Sequence, residues 1–451
     1  MLNKIFKLKE NNTNVRIELI AGITTFMTMA YIIFVQPAIL SMAGMDFDAV
    51  MVATCIASAI ACFVMAFLAN YPIALAPAMG HNVYFVFIAC PLIARLLGPD
   101  APVESWQIAL GAIFISGCLF IFLALFDVRE RIIHAVPQSL RNAIAVGIGL
   151  LIALIGFQWS GLTVSDPAIY IKMGDLSNPA TLLSIFGFLV ISILLVVKVR
   201  GAILIGMVIT ALAGLPFGIV KYQGVISRIP SVAPTFMKLS FKYAIGLGFL
   251  EIIFVFFFLD LFDTVGTLIG IGEKGGFMKK GKLPRAKQAL LSDAVATVSG
   301  SVLGTSTVTS YIESAAGISA GGRTGLANII TGLLMLGALF LKPLVAMVGA
   351  GYQTQAGNLL YPVIAPAMIV VGCMMMSCVT RIKWDDYSEA IPSFLAIAVM
   401  PFCGFSITEG IAFGFISYSL LKLISGRGRE VHWLLYFFSI LFLIRYVYLA
   451  R

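Results

Sequence analysis

The chain has 451 residues, of which 60% are hydrophobic and only 11% charged, and its net charge is +9. A water-soluble globule carries about 25% charged residues, so this composition excludes one and leaves a polytopic, all-α membrane protein. The positive balance calls for no nucleic-acid partner, because basic loops facing the anionic inner leaflet of a lipid bilayer account for it.

Apolar runs of about 20 residues, each able to cross a hydrocarbon core of about 30 Å as a helix, recur along the chain. We read fourteen: 17–44, 49–69, 72–94, 105–126, 137–158, 179–197 and 201–220, then 247–272, 286–304, 306–321, 325–341, 359–379, 388–404 and 407–424. The remainder is an N-terminal segment 1–16, a long inter-repeat loop 221–246 and a tail 425–451. With the N-terminus in the cytoplasm, inner segments hold 21 Lys and Arg and outer segments 7, the last 2 of the 30 lying in the tail. That bias fixes the orientation. An even number of spans then puts both termini on the cytoplasmic side of the cell inner membrane. The first run is too long for a signal-peptide core and has no obvious cleavage site, so we expect it to be retained as a span.

The first span, ELIAGITTFMTMAYIIFVQPAIL, carries Thr24, Thr25 and Thr28 on its middle turns. Threonine in a membrane helix readily bonds its own backbone, so packing competes with a cavity-lining role for Thr25. In the third span Pro72, Pro77 and Gly80 crowd the first half. A regular helix would lose backbone bonds there, which predicts an extended piece before a half-helix near His81 and Asn82. The tenth span answers it: Thr305, Thr307, Val308, Thr309 and Tyr311 favour a strand, and Gly317 closes a short helix after Glu313. Interrupted segments at matching positions point to a carrier site between repeats. Seven spans per repeat, an odd number, require the second copy to be inverted.

Three acidic residues, Asp260, Asp263 and Glu313, lie in these apolar stretches. An ionisable group at bilayer depth costs roughly 2.5 to 3.5 kcal/mol on insertion scales and therefore marks a protein-lined, partly wet cavity. Asp260 and Asp263 are three apart and share one helix face. Two carboxylates so close in a poorly solvated site do not both ionise readily, and a carboxyl that can be neutral or charged is what proton coupling requires. Each also has a structural alternative, as a cap or an inter-helix bond. Asn82, the carboxylates and helix-end N–H groups could read a planar heterocycle, with Tyr311 and Phe262 as stacking faces. Asp293 reads as a cap or packing group, Glu251 as interfacial, and Glu409 as an acid at a helix start. His134 and His432 suit loop or interfacial roles.

The seven cysteines fall within spans without a Cys-x-x-Cys pair, so they read as packing residues. No cluster has metal-ligand spacing. The loop EKGGFMKKGKLPRAK, residues 273–287, lacks phosphate-binding glycine spacing, so ATP is not the energy source. An intramembrane enzyme finds no nucleophile or metal motif. The apolar tail helix reads as interfacial, with a fifteenth crossing as the alternative.

The segments TFMTMAYIIFVQPAIL, ALAPAMGHNVYF, LDLFDTVGTLIG, GTSTVTSYIESAAGISAGGRTG and EAIPSFLAIAVMPFCGFSITEGIAFGFISY resemble the AzgA-like purine permeases of the nucleobase/cation symporter-2 family, in order and over nearly the whole chain. The resemblance implies two inverted seven-span repeats, 17–220 and 247–424, each split between core (spans 1–4 and 8–11) and gate (spans 5–7 and 12–14). It implies alternating access, often in a homodimer, with proton-coupled uptake of hypoxanthine, guanine or adenine and no cofactor beyond the coupling ion, with sodium as the alternative to the proton. By motif position Asn82, Asp263 and Glu313 match the family's polar substrate residues, and Asp260 precedes them. Two departures stand out. His81 occupies a position usually apolar in similar proteins, and SAAGISAGGRTG lacks the Asn-x-Gly of the uracil, xanthine and uric acid branch. The competing reading is a carrier of the same architecture for an inorganic anion or organic acid, against which the acidic site argues; a passive channel would lack saturation.

Overall fold

Five of the described helices begin where a side-chain acceptor precedes an apolar run. Asn14, Asp46, Asn178, Asp386 and Ser406 each accept a hydrogen bond from a backbone N–H of the first turn they cap, satisfying donors that lipid cannot. The computed structural model describes residues 2–98, 103–125, 136–167, 170–241, 247–278, 283–354, 357–403 and 406–448. His134, Arg129, Arg131, Lys242, Lys279, Lys280, Lys282 and Arg451, on which part of the loop and charge reading rests, lie outside them.

The first half runs α1 (Leu2–Phe6), α2 (Val15–Met29), α3 (Ile32–Ser41), α4 (Phe47–Leu68), β1 (Leu75–Pro77), α5 (Met79–Tyr84), a π-helical turn Phe85–Ala89, α6 (Cys90–Leu97), α7 (Ser105–Leu125) and α8 (Gln138–Trp159). A hairpin of β2 (Thr163–Asp166) and β3 (Tyr170–Met173) leads to α9 (Pro179–Val196) and α10 (Ala202–Gly214). The second half runs α11 (Leu247–Lys274), α12 (Ala286–Leu303), β4 (Val308–Ser310), α13 (Ser314–Ser319), α14 (Leu326–Gly337) and α15 (Lys342–Gly349). After a short β5–β6 pair (Tyr352–Gln353, Leu359–Leu360) come α16 (Ala365–Met375), α17 (Tyr387–Phe402), α18 (Ile407–Ile424) and α19 (Trp433–Tyr448).

Among the described residues nine helical stretches are long and apolar enough to cross a membrane. The others in the fourteen-span reading are shorter, interrupted or more polar. The tail helix α19, with 16 residues, is shorter than the about 20 that a crossing needs.

The described chain forms two compact units, one of residues 1–125 and 156–367, the other of 126–155 and 368–451. In the first, both expected interruptions are present as short strands, and β1 pairs antiparallel with β4 in the register Leu75↔Ser310, Ala76↔Thr309, Pro77↔Val308. Each break supplies what the other lacks. Ala78 N donates to Thr307 O (2.9 Å), Tyr311 N to Ala74 O (2.9 Å), and Ala74 N to Ser314 Oγ (2.9 Å). Asn328 Nδ2 reaches Tyr71 O (3.1 Å) and Ile73 O (2.6 Å). Irregular backbone at membrane depth survives because protein groups replace the absent water.

The same unit buries Glu18 completely against the start of α14, where its carboxylate accepts the N–H groups of Arg323 (2.9 Å), Thr324 (3.4 Å) and Ala327 (3.3 Å). A negative charge is favourable at a helix N-terminus. In the second unit Lys422 is fully buried, with Nζ 3.0 Å from Glu430, 3.5 Å from Glu389 and 3.7 Å from Asp386. Arg427 bridges Asp386 (2.6 Å) and Glu430 (2.9 Å), and Ser139 donates to Glu389 (2.5 Å). This cluster ties α8, α17, α18 and the loop after α18 together.

Candidate functional site

The site grows from the β1–β4 crossing. Because each strand is only three residues long, the chain turns at once into α5 on one side and α13 on the other, so the side chains at both junctions are held close together. His81, Asn82 and Tyr311 are buried, while Glu313, where α13 begins, is half-buried.

Glu313 is anchored across the fold. Tyr31, at the break between α2 and α3, donates its hydroxyl to Glu313 Oε1 at 2.8 Å, and Thr28 Oγ1 lies 3.3 Å from the Glu313 carbonyl. Asp263 on α11 presents a side chain 38% exposed, with Oδ2 3.9 Å from His81 Nδ1. Asp263 and Glu313 are therefore two carboxylates beside the broken spans that are not fully buried. A site with that character accepts N–H donors and disfavours anions.

The other expected residues stand further back. Asp260 is 1% exposed and accepts from Thr297 Oγ1 at 3.2 Å. Asn82 is fully buried in an amide pair with Gln36: its Nδ2 donates to Gln36 Oε1, and its Oδ1 accepts from Gln36 Nε2 (3.2 Å) and from Ser306 Oγ. Gln36 Nε2 also reaches Thr305 Oγ1 (2.9 Å) and Ser306 Oγ (3.1 Å), so one glutamine joins both interrupted spans. Thr25 is buried under Gly317. Tyr311 gives its hydroxyl to Pro77 O (2.5 Å), and Phe262 packs on Phe258 with ring centroids 5.4 Å apart and planes tilted by 55°.

Two positions escaped the sequence reading. Gln36 and Tyr31 were not singled out, although an amide in an apolar span is a signal in itself. Asp293, read as a cap or packing group, is fully buried as a packing group and accepts from Thr264 Oγ1 (2.5 Å), Ser310 N (2.8 Å) and Ser310 Oγ (2.9 Å). It fixes the end of β4 beside Asp263.

Interrupted spans crossing at a buried polar cluster, within a polytopic helical fold, define a membrane carrier rather than an enzyme. A sequence model of the Permease family matches residues 16–413, and the chain belongs to that family, the nucleobase/cation symporter-2 family. The adenine permease AdeP of Escherichia coli is 42% identical over 450 residues, covering 100% of this chain and 96% of that protein. The guanine/hypoxanthine permease PbuG of Bacillus subtilis is 40% identical over 460 residues, covering 99% and 100%. Among solved structures, the transmembrane domain of the cyanobacterial bicarbonate transporter BicA is similar, with a TM-score of 0.64 at 15% identity over 87% of this chain and 96% of that one. At that identity the likeness speaks to the fold alone.

Proposed function

We propose that this carrier takes up purine nucleobases, hypoxanthine and guanine or adenine, by proton symport and alternating access across the cytoplasmic membrane, with both termini in the cytoplasm. The observation that carries this reading is the pair of open carboxylates, Asp263 and Glu313, at the crossing of two broken spans. The naming of relatives at 40–42% identity as adenine and guanine/hypoxanthine permeases supports the purine class. In this reading Glu313 and Asp263 accept N–H donors of the base. Asn82 acts through the polar network around it, Tyr311 and Phe262 shape the apolar wall, and Thr25 supports α13 from behind. A carboxyl among Asp263, Asp260 and Glu313 takes up the coupling proton, and neutralising it lowers the cost of carrying a charged group through a dry site. A homodimer is the assembly we expect.

Uptake of radiolabelled hypoxanthine and adenine at mildly acid and mildly alkaline pH, in cells lacking their own purine carriers, tests this. Saturable uptake that rises at acid pH and is lost in membrane-inserted Asp263→Asn and Glu313→Gln is the expected result. No uptake of either base by inserted wild type sinks the purine assignment. Competition by inorganic anions would move an anion or organic-acid carrier to the front.

A further inference from the structure

His81 is 2% exposed, and among the described residues neither ring nitrogen has a hydrogen-bond partner. A neutral imidazole brings one donor and one acceptor, and burying both unmade is costly. Buried polar groups without partners call for an explanation, and a second conformational state that uses them is one. The surrounding polar groups are engaged elsewhere: Asn82 with Gln36 and Ser306, Tyr311 with Pro77, Glu313 with Tyr31, Asp293 with Thr264 and Ser310. Among the described residues an acceptor that faces it is Asp263, whose Oδ2 lies 3.9 Å from His81 Nδ1. That is about 1 Å longer than a typical N–H···O hydrogen bond.

The backbone around His81 is suited to closing such a gap. α5 is only six residues long, preceded by the β1 break and followed by the π-helical turn Phe85–Ala89. π turns relax the register of a helix and are frequent at functional sites. We propose that His81 is a positioning residue for Asp263. When the base is bound, α5 and α11 shift by about 1 Å, His81 Nδ1–H donates to the Asp263 carboxylate, and that bond fixes the carboxylate toward the N–H donors of the base. The inference rests on the purine-carrier reading, in which Asp263 is a ligand.

The test separates positioning from packing. His81→Leu keeps the volume and removes both polar atoms. The purified, purine-free variant should melt no lower than wild type, because an unpaired buried group has been removed. Its KM for the transported base should rise about tenfold, as for a lost hydrogen bond to a charged group, with the maximal rate largely kept. His81→Asn places an amide N–H near the position of Nδ1 and should recover most of that loss, whereas His81→Gln, reaching toward the position of Nε2, should not. A His81→Leu protein that melts lower and is not rescued by Asn has lost only packing, which overturns the inference, as does an unchanged KM. Failure of inserted wild type to carry any purine overturns the purine reading itself and takes the inference with it, and that failure is read from wild type alone.

Discussion

Glu313 owes its orientation to Tyr31, a residue of the first span that donates to it at 2.8 Å. Tyr31→Phe removes that donor while keeping the ring, so KM for the base should rise about tenfold with little change in thermal stability; uptake kinetics and a melting curve check both halves. Gln36 has the opposite profile. Gln36→Leu orphans the Asn82 Nδ2 donor and takes one partner each from Thr305 and Ser306, all fully buried, and should destabilise the purified protein by about 2 kcal/mol, since an orphaned buried polar group costs about 1–3 kcal/mol. A thermal melt in detergent that matches wild type would contradict it. The legibility of these residues follows their chemistry. A carboxylate in an apolar run has few cheap explanations, so Asp263 and Glu313 were readable from the sequence. Gln36 and Tyr31 have bland alternatives in any membrane helix, and only their long-range partners reveal what they do.

At the scale of elements, α13 lies so close to α2 that a Cβ on Gly317 would sit 2.0 Å from Thr25 Oγ1 and 2.6 Å from Ala21 O. Gly317→Ala should therefore push α13, and Glu313 with it, away from α2. We expect about 2 kcal/mol of destabilisation, typical of overpacking, together with lost uptake. Thr25→Ala in the same chain should restore only part, because the Ala21 carbonyl remains in the way. The clamp after α18 gives a pH signature. Arg427 and Lys422 hold the Glu430 carboxyl down at about 2 from 4.5, and Ser388 and Arg427 hold Asp386 below the usual carboxylate range. Folded-state values below the unfolded ones add stability that is present above the unfolded value and lost as pH falls through the folded one. For Glu430 that window runs from about pH 4.5 down to about pH 2. Glu430 is half exposed and Asp386 partly so, so the effect is modest and screened by salt. Melting temperature should fall less steeply across this window in Glu430→Gln than in wild type.

For the whole molecule, the distribution of basic residues makes a prediction about orientation. In a background without the seven native cysteines, Tyr222→Cys, in the long inter-repeat segment and 67% exposed, should react with an impermeant maleimide added to intact cells. Lys383→Cys, 70% exposed, should react only after permeabilisation. The reverse pattern would invert the proposed topology.

The sequence by itself determined the membrane class, the positions of the apolar helices, the two interruptions and the acidic residues beside them. All of these follow from local physics: an apolar run, a proline that removes a donor, or a charge that lipid rejects is expensive wherever it falls, and so it announces itself. Only the tertiary structure decided which partners satisfied those costs. It gave β1 to β4, Asp293 to Ser310, and Asn82 to Gln36 rather than to an open face, and it left Asp263 and Glu313 only half-buried. The reason is that hydrogen bonds between separate elements depend on how the helices cross, and composition and periodicity carry no information about that.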